Sequence, residues 1–177
     1  MRTEFRLSGS GGQGLLLAGI VLAEAAILED KNVVQTQSYG PEARGGSSKA
    51  EVVVSDTDID YPKATDPDFL LALTADSYKT YGPAQGKGII IVDSGIALDP
   101  AIKAKTIPVP ILETTKQIGK AIVTNIVALG VLGGLSGIVK PENLEKAVLN
   151  RVPKGTEELN VKALKAGFEI AAQAKKA

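Results

Sequence analysis

The segment from Thr3 to Leu28 limits the possible folds more than any other part of the chain. Thr3 to Ser8 (TEFRLS) alternates, with Phe5 and Leu7 on one side and Glu4 and Arg6 on the other, the pattern of a β-strand. It runs into GSGGQG, Gly9 to Gly14, and then into Leu15–Leu28, where only Gly19 and Glu24 are not apolar. A strand, a glycine turn and a helix in direct succession form the first half of a βαβ unit. A helix that is apolar all round is normally buried all round. A sheet can cover one side of it. The other side needs the C-terminal helices or another chain, and an extensive protein–protein interface, including a homodimer of the isolated chain, is one expectation.

The rest of the chain continues the alternation. Asn32 to Gln37 and Lys49 to Ser55 read as strands, and Asp68 to Thr74 (DFLLALT) as a buried one. Ala75 to Tyr81 reads as a short helix. Gly88 to Asp93 (GIIIVD) is a buried strand rich in β-branched residues. Pro108 and Pro110 mark a loop. Helical structure is expected from Glu113 to Ile118 and, after a break near Gly119, from Thr124 to Leu135. Pro141 opens a helix at its first turn, running to about Val152. A last helix is expected to start at Asn160. Nearly continuous apolar strands alternating with helices predict an α/β fold: three layers, a mostly parallel sheet with helices on both faces, and a helical C-terminal part. No internal repeat or low-complexity linker interrupts the 177 residues, so one domain is expected.

Composition excludes several functions. Twenty basic and twenty acidic residues cancel without a long run of one sign, so the basic footprint of a nucleic-acid binder is absent. Without cysteine there is no thiolate for zinc or an iron–sulfur cluster, and without histidine there is no Ser–His or Cys–His pair. These absences point toward a binding or accessory subunit. Ala121 to Val139 carries no charge and approaches the length of a membrane span. Asn125, Ser136, four glycines and the lack of aromatic flanks favour a buried helix. Arg2, Glu4 and Arg6 interrupt any signal-peptide pattern, so a cytoplasmic protein is expected.

Gly9, Gly11 and Gly14 fit G-x-G-x-x-G, a turn whose helix N-terminus can take a phosphate. A dinucleotide site also asks for an acid at the end of the second strand, where Gln35, Thr36 and Gln37 stand instead. No Gly-Lys-Ser/Thr follows, so this is not a Walker A loop. A different phosphate-bearing ligand, a dinucleotide and a purely structural turn remain open. Asp56, Asp58 and Asp60 imitate the start of a calcium loop, but Tyr61 and Pro67 occupy the positions of its glycine and closing glutamate. Asp93 is expected to cap a turn, and Tyr78 and Tyr81 to pack.

Between two strands lies the charged, glycine-rich stretch YGPEARGG, Tyr39 to Gly46. Together, GSGGQGLLLAGIVLAEAA and QSYGPEARGGSSKAEVVVS resemble the gamma subunit of 2-oxoacid:ferredoxin oxidoreductases. The resemblance continues through PDFLLAL, TNIVALGVLGGLSGIV and LNVKALKAGFE, over nearly the whole chain. YGPEARGG is similar to the 2-oxoglutarate type. Pyruvate enzymes more often carry a second arginine in place of the alanine, and the indolepyruvate type has Met-Ala-Gln-Arg-Gly-Gly.

The resemblance implies oxidative decarboxylation of a 2-oxoacid on thiamine diphosphate with magnesium, electron transfer through iron–sulfur clusters to ferredoxin, and acyl transfer to coenzyme A. The cofactors would sit on partner chains resembling alpha, beta and often delta subunits, with no nucleic-acid or membrane partner. For this chain it implies the coenzyme A side of a shared site, with Gly11, Gly12, Gln13 and Gly14 at the phosphates, Arg44 and Gly45 from the second loop, and Asn125 toward the adenine or ribose. Arg44 has a competing role as an ion-pair partner that only fixes the loop. A free-standing nucleotide-binding module and a purely structural subunit are the alternatives.

Overall fold

A computed structural model describes residues 1–38 and 47–176. Six strands form one sheet in the order β2-β3-β1-β4-β5-β6. They are β1 (Arg2–Ser10), β2 (Asn32–Ser38), β3 (Ser47–Ser55), β4 (Phe69–Ala72), β5 (Ile89–Asp93) and β6 (Thr106–Val109). Six α-helices accompany them: α1 (Leu15–Ile27), α2 (Ala75–Tyr81), α3 (Ile111–Ile118), α4 (Thr124–Ser136), α5 (Pro141–Arg151) and α6 (Glu157–Ala174). β4, β5 and β6 run parallel to β1, whereas β3 is antiparallel to both β1 and β2. One reversed strand among six makes the sheet mostly parallel, as expected. The reversal follows from the short separation of β2 and β3 in sequence, since a parallel pair needs a crossover of about a dozen residues or more.

One face of the sheet carries the larger core. Phe5, Leu7, Val52, Val54, Leu71 and Ile91 pack there under α1 and the C-terminal helices. The opposite face of β4 and β5 carries Leu70, Ala72, Ile90 and Val92 against Tyr78 of α2. Over β1 and β3 that second face meets α2 where Tyr81 lies against Arg6 and Lys49. The segment around residues 61–66 covers it, tied down by charged side chains. Arg6 donates from Nε to Glu51 at 2.8 Å and from Nη2 to the Ala64 carbonyl at 2.8 Å. Glu4 accepts from the amides of Thr65 and Asp66 at 2.8 and 3.2 Å. These bonds satisfy carboxylates that are almost fully buried, as burial requires.

The sheet supports one side of α1 through β2 and β3, and α5 and α4 cover the other. The C-terminal helices thus close over the apolar helix within this chain. Arg151 on α5 donates from Nε to Glu24, the helix's one charged residue, at 2.7 Å. Residues Thr124 to Gly133 of α4 are all buried, which explains the uncharged run. Among the described residues no helix is long and apolar enough to cross a membrane.

Two expectations need correction. Pro108 lies inside β6, paired with Val92, where a loop was expected. β6 is an edge strand, so a residue without an N–H is tolerated if that side faces away from the ladder. The last helix begins at Glu157, three residues before Asn160. Its first turn is the polar stretch Glu157, Glu158, which reads as loop in sequence but suits a helix N-terminus electrostatically. The break near Gly119 is present: Gly119 ends α3 with φ 88°, a left-handed conformation suited to glycine.

Candidate functional site

The connection from β1 leads through α1 to β2 on one side, and that from β4 leads through α2 to β5 on the other. β1 and β4 are neighbours, so their carboxyl ends mark the topological switch point, where open α/β sheets take ligands. Two helix N-termini lie there. Thr74 and Ser77 close that of α2 in a reciprocal capping box. Among the described residues α1 has no side-chain cap; its N-cap is Gly14, with φ 74°.

The glycine turn has a defined shape. Gln13 folds back so that its Oε1 accepts from the Ser10 amide at 2.8 Å, and a Cβ on Gly9 would strike that atom. Gly12 has φ 85°, and a Cβ on Gly11 or Gly12 would meet nothing within 4 Å. Gly11 and Gly12 therefore stand open above the uncapped N-terminus of α1, where unpaired amides favour an anion.

Asn125, in the first turn of α4, reaches across to this turn. Its Nδ2 donates to the Gly14 carbonyl at 3.2 Å, and its Oδ1 is buried without a hydrogen-bond partner among the described residues. A Cβ on Gly14 would lie 2.6 Å from Asn125 Nδ2. Beside the turn opens a cavity of about 270 Å³, lined by Gly12, Gly14, Asn125 and mainly apolar side chains.

The structure brings together Gly11, Gly12, Gln13, Gly14 and Asn125. Arg44 and Gly45 lie outside the described residues. Sequence reasoning missed the contribution of the corner between α5 and α6, where Val152, Pro153, Leu159 and Asn160 join the cavity wall. Pro153 and Gly155 signal a turn in the sequence, but nothing there says which cavity the turn closes.

The remaining candidates are structural. Asp93 accepts from Gly95 N at 2.9 Å and Leu112 N at 2.8 Å, fixing two turns as expected. Asp56 is held below the usual carboxylate range by hydrogen bonds from the N-terminal amine and Lys31. No group of three or more His, Cys, Asp or Glu placed to hold a metal exists among the described residues. Tyr78 is buried, and Tyr81 lies under Arg6 at 5.4 Å and Lys49 at 5.8 Å.

The mostly parallel sheet, the switch point and the open glycine turn define an α/β fold with the N-terminus of α1 at the carboxyl edge of its sheet. The chain belongs to the pyruvate ferredoxin/flavodoxin oxidoreductase family, whose model it matches over residues 4–170. It is 48% identical to 2-oxoglutarate synthase subunit KorC of Methanocaldococcus jannaschii, across 97% of this chain and 95% of that one. It superposes with TM-score 0.87 on the gamma subunit of a keto/oxoacid ferredoxin oxidoreductase from Geobacter sulfurreducens, 46% identical and covering 98% of each chain. A 2-oxoglutarate:ferredoxin oxidoreductase from Magnetococcus marinus, solved with 2-oxoglutarate, coenzyme A and succinyl-CoA, shares the fold at TM-score 0.89. It is 22% identical, and this chain spans 32% of its length.

Proposed function

We propose that this chain is the gamma subunit of a multi-subunit 2-oxoacid:ferredoxin oxidoreductase of the 2-oxoglutarate type, and that its glycine turn forms part of the coenzyme A side of the shared site. The subunit assignment rests on the full-length likeness to the relatives above. The YGPEARGG wording favours 2-oxoglutarate over pyruvate or indolepyruvate.

The observation that carries the ligand assignment is the open, uncapped N-terminus of α1 beneath Gly11 and Gly12. Such a terminus suits a pyrophosphate. Coenzyme A carries one and has no nicotinamide ribose, so it does not require the acid that is missing from β2. Arg44 adds a bidentate, charge-assisted contact to a phosphate, and Gly45 allows close backbone approach. Gln13 shapes the turn by holding the Ser10 amide.

This chain does not fit the electron-transfer cofactors, since it has no cysteine to ligate an iron–sulfur cluster. In this reading the clusters, thiamine diphosphate and its magnesium belong to alpha, beta and delta partners, and ferredoxin docks on the complex. The isolated chain, as one domain, supplies a half-site and is inactive alone.

The test is Arg44→Ala in the reconstituted complex. The KM for coenzyme A should rise while 2-oxoacid-dependent decarboxylation persists. An unchanged KM would remove Arg44 from the site and leave it as a loop anchor.

A further inference from the structure

We infer that the cavity beside the glycine turn is a slot for an amino-bearing purine ring of the adenine class. This rests on the coenzyme A reading above and specifies which half of that ligand the chain recognises, and by which atom.

The turn and the slot are one continuous surface, because Gly12 and Gly14 belong to both. A nucleotide whose phosphate sits at the turn therefore has its base within reach of the slot. The walls are apolar: Leu17, Val123, Ile126, Val152, Pro153 and Leu159. Flat apolar walls suit the faces of an aromatic ring and leave its edge to be satisfied by a few placed polar groups. The cavity volume, about 270 Å³, exceeds that of a purine and is far too small for a whole coenzyme. At its mouth stands Ile122, 81% exposed, a large apolar side chain that a seated ring would cover.

The polar group is Asn125. It is only 5% exposed, and it lines the slot. Its Nδ2 is committed to the Gly14 carbonyl, which fixes the orientation of the amide: a flip would set Oδ1 against that carbonyl. What remains is Oδ1, an acceptor with no partner among the described residues. A buried unpaired acceptor is costly, and the group that relieves it must donate. The other amide lining the slot, on Asn160, already donates to the Thr156 carbonyl at 2.9 Å and hydroxyl at 3.0 Å. Among the described residues, the buried acceptor of the slot that lacks a partner is thus Asn125 Oδ1. The exocyclic amino group of adenine complements it, whereas the 6-oxo edge of hypoxanthine would place one carbonyl against another.

The experiment compares three acyl acceptors in the wild-type complex: coenzyme A, its deaminated hypoxanthine analogue, and phosphopantetheine, which lacks the nucleotide half. Deamination is expected to raise KM about tenfold or more, the cost of leaving a buried polar group unpaired. Truncation should raise it further. If deamination has no effect while truncation still does, the base slot is overturned and the coenzyme A reading stands. If truncation has no effect, that reading falls, and the slot with it. A filled slot gives an independent check. Leu159→Trp should raise the KM for coenzyme A but not that for phosphopantetheine, and an unchanged KM for coenzyme A would count against the slot.

Discussion

Asn125 and Gly14, 111 residues apart, are joined by a single 3.2 Å hydrogen bond from the side-chain amide to the carbonyl that begins α1. That carbonyl also accepts from Ala18 N at 3.1 Å, so α4 and α1 share one atom at the edge of the candidate site. The bond ties the glycine turn to the cavity wall and leaves Asn125 Oδ1 without a partner among the described residues.

Replacing Gly14 tests this arrangement directly. Gly14→Ala puts a side chain in a left-handed conformation, with its Cβ 2.6 Å from Asn125 Nδ2. Backbone strain and crowding together predict a loss of about 2–4 kcal/mol. Urea unfolding monitored by circular dichroism would measure it, and wild-type stability in the variant would show that the contact is not tight.

The crossing of α4 and α6 depends on glycine in the same way. A Cβ on Gly167 would lie 2.8 Å from the Gly130 Cα and collide with the Val127 carbonyl, which is backbone and cannot swing aside. Gly167→Ala is expected to cost about 1–3 kcal/mol by forcing the helices apart. A melting temperature within experimental error of wild type would rule out this close approach.

The clamp on the second face calls for a double-mutant cycle. Arg6 and Glu51 pair at 2.8 Å with side-chain exposures of 15% and 7%. Removing one partner, as in Arg6→Met, leaves a buried carboxylate only partly compensated by Lys49 at 3.4 Å, and should cost about 3 kcal/mol or more. Arg6→Met with Glu51→Leu should lose less than the sum of the two single changes. Simple additivity would mean that the pair is not coupled.

Glu29 gives the fold a defined acid sensitivity. It accepts from Lys140 N at 2.5 Å and Asn143 Nδ2 at 2.9 Å, holding the start of α5 against the end of α1. Burial raises its pKa. The bonds from Asn143 and Lys140, with the charges of Lys140 and Lys31, outweigh burial and set it below the ordinary value of 4.5. A depressed folded pKa stabilises above the unfolded value and loses that contribution as pH falls through the folded one. The stability gap between wild type and Glu29→Gln should therefore be full above about pH 5 and shrink on acidification below 4.5. A gap that did not depend on pH between 7 and 3 would contradict this assignment.

Much of the fold was legible because its signals are local. Alternation at Phe5 and Leu7, the β-branched run Ile89–Val92, Pro141 at a first turn and Gly119 at a helix end act within a few residues of themselves. Pro108 misled because its meaning depends on strand order: an edge strand tolerates it and a central one does not. The true start of α6 was hidden for a related reason, since Glu157 and Glu158 are polar in either state. The site divided in the same way. Gly9 to Gly14 declared itself by spacing, and Asn125 stood out as a polar residue opening an apolar helix.

The sequence by itself determined the strand–turn–helix alternation, the absence of thiolate and imidazole chemistry, and the glycines at which a turn must bend. The tertiary structure alone decided that α4 and α5 close over α1, and that the α5–α6 corner walls a cavity beside the glycine turn. It also decided that one atom of Asn125 is spent on Gly14 while the other has no partner among the described residues. Periodicity records which face of an element is buried. It carries no information on which distant element buries it, because apolar surfaces attract without direction and only the complete packing selects the partner.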